Sequence, residues 1–181
     1  MGLRSTAFID LVLLRTRRLE PVREMIASTE RCPWRQRVLC GEVHDDNAYA
    51  MGGVSGHAGL FSSARDLHQF ILLLVECYHG GNGFLTPDLV REFWTQDRTV
   101  PGSTWALGWD TPSLKGSSSG QYFSQQSVGH LGYTGTSIWI DLRRDIHVIL
   151  LTNRIHPTHG NERIREFRPL IHDLIMKAIL H

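Results

Sequence analysis

The segment 129–154, GHLGYTGTSIWIDLRRDIHVILLTNR, constrains the fold of this chain more than any other stretch. Apolar runs alternate with short glycine-rich or charged turns, a pattern typical of consecutive antiparallel strands. With the residues just before it, the segment predicts three strands, at about 122–131, 134–141 and 146–153. The run from His147 to Thr152 is apolar on both faces, which predicts a central strand covered on both sides.

A helix is predicted upstream of the strands by its start and stop signals. Ser63 is a good N-cap, and Asp66 three residues later completes a capping-box-like pair. Helical spacing then relates five large residues, namely Leu67, Phe70, Ile71, Leu74 and Tyr78. The pair Gly80-Gly81 should end this helix.

Three further helices and one further strand are expected. A short helix could lie in 11–24, interrupted by Pro21. Thr86 and Pro87 start a helix that should run to about Gln96, with a buried face of Leu89, Val90 and Phe93. A last helix should cover roughly 168–180, with Pro169 in its first turn and an inward stripe of Leu170, Ile171, Leu174, Ile175 and Ala178. The alternating residues Trp105, Leu107 and Trp109 suggest a strand.

The order of these elements predicts an α+β domain, an antiparallel sheet with flanking helices. A chain of 181 residues can bury a real core, so one domain is expected. The formal net charge of +1 gives no electrostatic argument for binding nucleic acid. No stretch of the sequence reaches the ~18 apolar residues of a membrane span.

His130, Leu131 and Gly132 form a His-x-Gly triplet at the start of the strand-rich segment. Because Gly132 has no side chain, a substrate backbone could approach the strand edge there. The backbone N–H of Tyr133 could donate to a developing oxyanion, and losing one such donor typically costs ~3 kcal/mol of transition-state stabilisation. The His130 side chain could hydrogen-bond a nucleophile or a substrate carboxylate, with Thr134 or Tyr133 nearby.

The residues alone leave two alternatives open. Gly129, Gly132 and Gly135 could serve only to shape a hairpin. A metal could be bound by a second set of residues, His44, Asp45, Asp46 and His57. That set lacks an HExxH motif or a two-His-carboxylate spacing on one helix, so we expect no metal site.

Three blocks of the sequence resemble, in order, parts of the serine β-lactamase and penicillin-binding-protein superfamily, in particular its class C-like hydrolases. Residues 52–70, GGVSGHAGLFSSARDLHQF, resemble the Gly-rich loop and capped helix that follow the helical lobe. Residues 105–110, WALGWD, resemble the strand that re-enters the sheet, and 129–154 resemble the third active-site motif with its two successors. Residues 42–53, EVHDDNAYAMGG, are similar to penicillin-binding protein 4B-type carboxypeptidases. His-x-Gly in place of Lys-Thr-Gly is closer to the esterases and DD-peptidases of the superfamily than to its true β-lactamases.

The resemblance implies one partial β-lactamase-like domain over 1–181, with 1–97 as the remainder of the helical lobe and 98–181 as the sheet and C-terminal helix. It implies acyl transfer by a serine hydrolase, without cofactor or metal. The substrate would be a small molecule or a peptidoglycan peptide: an ester, a D-Ala-D-Ala-type amide or a β-lactam. His130 and the Tyr133 N–H would then be catalytic, while Gly132 and Thr134 would contact the substrate. An extracytoplasmic location is implied too, although Leu11–Leu14 is too short to be the apolar core of a signal peptide.

The two earlier active-site motifs of the superfamily are missing from this sequence. A Ser-x-x-Lys nucleophile motif would need Ser three residues before a lysine, but Pro112 precedes Lys115 and Leu174 precedes Lys177. None of the four tyrosines is followed at the second position by Asn. We therefore expect the C-terminal portion of a longer enzyme, whose N-terminal half is its partner. The alternative is a non-catalytic binding or structural lobe of the same fold.

Overall fold

A computed structural model describes residues 2–16 and 25–180 of the chain. The helices are α1 Leu11–Arg15, α2 Asp46–Ala50, α3 Ala64–His79, α4 Pro87–Phe93 and α5 Ile164–Leu180. The strands are β1 Ala7–Phe8, β2 Arg31–Cys32, β3 Arg37–Val38, β4 Leu60–Phe61, β5 Ser127–Leu131, β6 Ser137–Asp141 and β7 Ile146–Leu150. This mixture of helices and antiparallel strands is the predicted α+β class. None of the helices in the described part of the chain is long and apolar enough to cross a bilayer.

The described residues form two compact units. The larger unit comprises residues 68–152 and 163–180, and the smaller unit comprises 2–67 and 153–162. The two units are defined by compactness and do not test the predicted lobes. The assignment of 1–97 to a helical lobe and of 98–181 to the sheet stays a prediction.

The larger unit is built on a three-stranded antiparallel sheet in the order β5–β6–β7. The three predicted strands are confirmed, although each is shorter than expected. The prediction that the His147 strand is central is wrong for the described residues, because β6 lies between the other two strands. Apolar residues on both faces of a strand indicate how its faces are covered, and they say nothing about how many strands pair with its edges.

The two faces of this sheet carry separate apolar clusters. Val128 and Ile140 are opposite each other on β5 and β6, and they pack with buried residues of α3 and α4. Trp139 and Val148 are opposite each other on β6 and β7, and they pack with Met176 of α5. The sheet of the larger unit is therefore covered by α3 and α4 on one face and by α5 on the other.

Helix α3 begins and ends where its sequence predicts. The Ser63 hydroxyl accepts a hydrogen bond from the Asp66 N–H at 3.3 Å, as an N-cap does. Gly80 has a φ of 92°, and the Gly81 N–H donates to the Glu76 carbonyl at 2.9 Å. A side chain at Gly80 would be strained in this left-handed conformation, which explains why the helix stops at a glycine.

Helix α4 has the predicted start, but its end and its buried face differ. The Thr86 hydroxyl accepts from the Leu89 N–H at 3.4 Å, and Pro87 is the first helical residue. The helix ends at Phe93 rather than near Gln96. Val90 is buried as predicted, but Leu89 and Phe93 are exposed, and Trp94 at the C-cap is buried instead. Residues four apart share one face of a helix, so Val90 and Trp94 face the core together.

The alternation of Trp105, Leu107 and Trp109 does not correspond to a strand. The Ala106 N–H donates to the Trp109 carbonyl at 2.8 Å, and Gly108 has a φ of 75°, so the chain reverses within this segment. Isolated bridges join Asp110 to Trp105 and to Gly129. Trp105 and Leu107 are both exposed, because the tight turn directs them away from the core.

Helix α5 is one turn longer than predicted and presents a different face. It begins at Ile164, so Pro169 lies inside it. Its buried residues recur every fourth position, namely Ile164, Arg168, His172 and Met176. Within the predicted stripe, Leu170 and Leu174 are exposed. Ile175 packs on the sheet cluster of Trp139 and Val148 as predicted. The expected inward stripe is wrong for Leu170 and Leu174, because Arg168 and His172, which find hydrogen-bond partners, are buried instead.

The smaller unit contains two short antiparallel pairs, β1 with β4 and β2 with β3. Helix α1 follows Asp10, whose carboxylate accepts from the Val12 N–H at 2.7 Å. The short helix expected in 11–24 is present over its first residues, whereas Pro21 and Glu24 lie outside the described residues.

Candidate functional site

The connection between β5 and β6 is held by hydrogen bonds to its backbone groups. The Gly132 N–H donates to the Thr136 carbonyl at 2.9 Å, and the Gly135 N–H donates to the Gly132 carbonyl at 3.1 Å. The Thr152 hydroxyl, which follows β7, donates to the Gly135 carbonyl at 2.7 Å. We call residues 132–136 the site turn. Three hydrogen bonds fix it, so it is a defined structure and not a loose loop.

The predicted site residues lie along β5 and the site turn. His130 is exposed on β5 opposite Ile138, and its ring lies edge-on to Trp105 with 6.3 Å between centroids. Gly132 follows two positions later, where the chain leaves the strand. Tyr133 is 60% exposed, and Thr134 is half-buried. The roles assigned to these four residues stay predictions.

Arg168 was not expected at this site, yet it contacts the site turn directly. Its guanidinium nitrogen Nη2 donates to the Gly132 carbonyl at 2.6 Å and to the Thr136 carbonyl at 2.8 Å. Arg168 is only 8% exposed. Arginine is almost never so deeply buried without partners for its charge. No local signal in the sequence marked it, because its partners are 32 and 36 residues away.

His172 lies one helical turn after Arg168 and is completely buried. Its Nδ1 donates to the Ser118 carbonyl at 2.8 Å, so Nε2, at 3.1 Å from the Ser137 hydroxyl, accepts from that group. Burial lowers the pKa of His172 below its ordinary 6.5, and the charge of Arg168 acts in the same direction. The hydrogen bond to Ser118 and the charge of Asp173 oppose this effect without reversing it. A neutral imidazole thus ties α5 to the start of β6.

We expect the free energy of unfolding to fall as the pH is lowered through 6.5. His172 binds its proton less tightly in the folded chain than in the unfolded chain. Its contribution to the free energy of unfolding is therefore complete above pH 6.5 and is lost as the pH drops towards its folded pKa. Urea unfolding should show that the free energy of unfolding changes less between pH 7.5 and pH 5.5 in His172→Gln than in the parent chain. Burial also lowers the pKa of His147, so part of the pH dependence should persist in this variant.

The matched control is His79→Gln, which changes an exposed histidine at the end of α3. An equal loss of pH dependence in both variants would contradict the assignment to His172.

Two of the four residues considered as metal ligands, Asp45 and His57, form a hydrogen-bonded chain with Ser55 in the smaller unit. His57 Nε2 lies 3.0 Å from Asp45 Oδ1, and His57 Nδ1 lies 2.7 Å from the Ser55 hydroxyl. Asp45 also caps α2 by accepting from the Ala48 N–H at 2.8 Å, and this bond is the main reason for the lowered pKa of its carboxyl. Ser55 is buried. The Ser–His–Asp order resembles a nucleophile relay, but its hydroxyl is covered and its carboxylate is used by a helix cap.

Within residues 2–16 and 25–180, no group of three or more histidine, cysteine or acidic side chains is arranged to hold a metal ion. The Asp46 carboxylate accepts from the Trp34 indole N–H at 2.9 Å.

Comparison with known proteins gives one consistent family. The Beta-lactamase family model matches residues 17–172. A Salmonella gallinarum protein named "Putative D-alanyl-D-alanine carboxypeptidase" is 37% identical over 136 residues, which are 72% of this chain and 31% of that protein. The chain thus spans about a third of the length of the curated relatives it matches.

Solved structures agree on the fold. Simvastatin synthase from Aspergillus terreus has a TM-score of 0.58 and 16% identity, over 98% of this chain and 48% of that one. A β-lactamase from Mycobacterium bovis has a TM-score of 0.54 and 20% identity, over 67% of this chain and 46% of that one. On the family match over residues 17–172, this chain belongs to the Beta-lactamase family.

Proposed function

We propose that this chain carries the third active-site motif of a serine hydrolase that works by acyl transfer. The observation that supports this most is that the exposed His130 lies two residues before the site turn, whose backbone is held by five hydrogen bonds. Preorganised backbone donors stabilise an oxyanion better than mobile ones, because they need no reorganisation during the reaction. In this proposal the Tyr133 N–H is the donor, and Gly132 and Thr134 contact the acyl group.

The proposed substrate is a D-Ala-D-Ala-type peptide, with a small ester as the second candidate. The name of the Salmonella gallinarum relative supports the peptide. The exposed ring of Trp105 beside His130 would give the substrate an apolar wall. His130 would orient the substrate carboxylate or relay a proton to the nucleophile.

The nucleophile itself is proposed to come from a segment that precedes this one in a longer protein. Two observations support this: the chain contains no Ser-x-x-Lys, and it spans about a third of its curated relatives. We call the product of such a segment joined to this chain the completed enzyme. An in-frame Ser-x-x-Lys and Tyr-x-Asn in the DNA upstream of Met1 would support the proposal, and their absence would favour a non-catalytic lobe.

The isolated chain is expected to form no acyl-enzyme. No serine has a lysine in the position that activates the nucleophile, so none should react faster than an ordinary hydroxyl. After incubation with a labelled penicillin or a fluorophosphonate, intact-mass measurement should show an unmodified chain. The completed enzyme should gain one adduct, located at the serine of its Ser-x-x-Lys.

A control variant addresses the Ser55–His57–Asp45 chain, in which a histidine could activate a serine. If the isolated chain is labelled and Ser55→Ala is not, the Ser55–His57–Asp45 chain is a nucleophile relay and our proposal is wrong. If the completed enzyme also stays unlabelled, the protein is a binding or structural lobe.

A further inference from the structure

Arg168 contacts the site turn at the two carbonyl groups that define its ends. A single nitrogen, Nη2, donates to the carbonyls of Gly132 and Thr136. Hydrogen bonds from a charged donor are shorter and stronger than those between neutral groups, and the 2.6 Å and 2.8 Å distances are of that kind. Arg168 thus joins the two sides of the turn.

The direction of the Gly132 carbonyl sets the direction of the Tyr133 N–H. The oxygen of Gly132 and the N–H of Tyr133 belong to one planar trans peptide unit, in which they point in opposite directions. When Arg168 and the Gly135 N–H hold the oxygen on one side, they fix the direction of the Tyr133 N–H on the other. Arg168 therefore orients the group that we propose as the oxyanion donor.

The arginine is itself held in place by the helix that carries it. One turn later, His172 bonds Ser118 and Ser137, and Asp173 accepts from the Gln121 N–H at 2.5 Å. Met176 lies in the apolar cluster with Trp139. These contacts fix α5 against the sheet independently of Arg168, so its loss should disturb the turn more than the helix.

We propose that Arg168 is a positioning residue for acyl transfer, which sets the orientation of the Gly132–Tyr133 peptide from the face of the sheet covered by α5. This inference rests on the proposed function for its chemical meaning. The positioning itself can be measured without activity.

The first test is amide hydrogen exchange of the full chain by NMR. In Arg168→Met we expect the Gly132 and Gly135 amides to exchange about tenfold faster, because charge-assisted bonds that hold the turn are lost. The Trp139 amide in the centre of β6 should change little. In Arg168→Lys the turn should stay protected, since one ammonium can donate to both carbonyls as Nη2 does. The matched control is Arg165→Met, at an exposed position of the same helix.

The second test is kinetic and uses the completed enzyme. Arg168→Met should lower kcat about tenfold with little change in KM, less than the 10² to 10³ typical for complete loss of an oxyanion donor. Arg168→Lys should restore most of kcat, and Arg165→Met should leave it unchanged. If Arg168→Met does not fold, Arg168→Gln replaces it in both tests.

The outcomes separate the two proposals. Unchanged exchange at Gly132 and Gly135, or equal acceleration at Trp139, would overturn the positioning role whatever the activity. If the completed enzyme is active and its kcat is unchanged in Arg168→Met, the positioning role is overturned too, but the proposed function stands. A completed enzyme that is inactive with native Arg168 would overturn the proposed function.

Discussion

Replacing His130 with alanine in the completed enzyme is expected to lower turnover of a p-nitrophenyl ester about 10²-fold, the low end for a positioned proton-transfer group. The imidazole is exposed on β5, two residues before the glycine of the site turn. From that position it can reach a bound substrate or a nucleophile supplied by another segment. Steady-state kinetics on the parent and variant would give the ratio directly.

The matched control for this substitution is His79→Ala, which removes an exposed histidine from the end of α3. It should leave turnover within about twofold of the parent, as surface substitutions away from a site usually do. Near-normal turnover of His130→Ala with an intact fold would make the histidine structural, and would leave the site turn as the only part of the motif with a catalytic role.

Local signals in the sequence were enough to predict the elements that position His130. The cap at Ser63 and the glycine stop at Gly80 act over a few residues, and α3 follows both. The three strands were predictable for the same reason, since alternation within each strand reflects the two faces of one sheet. These features depend on neighbours in sequence, which a sequence displays directly.

The face of α5 could not be predicted, because its partners are distant in sequence. Residue type alone placed Leu170 and Leu174 inside, and both are exposed. Arg168 and His172 are buried in their place, and the carbonyls of Gly132, Thr136 and Ser118 satisfy them. A polar residue can be buried once its hydrogen bonds are made, and those bonds become visible only when the chain is folded. The strand predicted from the alternation of Trp105, Leu107 and Trp109 was wrong for a different reason: the chain turns at Gly108.

The largest loss of stability is expected for Gly129→Ala. The size of this loss should distinguish Gly129 from Gly132, although both were considered as hairpin-forming glycines. A methyl group at Gly129 would overlap with ring atoms of Trp139 and would lie 2.6 Å from the Ile138 carbonyl oxygen. Trp139 is completely buried, and the carbonyl belongs to the neighbouring strand, so neither can move away without disturbing the sheet. Overpacking of this kind typically costs 1–3 kcal/mol, and contacts with rigid atoms place this site at about 3 kcal/mol.

Two other glycines provide the comparison. At Gly132 a methyl group would overlap with the Thr136 hydroxyl oxygen, but that side chain can rotate. We therefore expect Gly132→Ala to lower the free energy of unfolding by about 1 kcal/mol. At Gly56 nothing lies within 4 Å and the backbone is unstrained, so alanine should be neutral or slightly stabilising.

Urea unfolding followed by tryptophan fluorescence would rank the three variants. For a chain of this length, 3 kcal/mol corresponds to a fall in Tm of about 6–12 °C. If Gly129→Ala unfolds at the same urea concentration as Gly56→Ala, then Trp139 does not pack against β5 as described, and the register that places His130 opposite Ile138 is wrong as well.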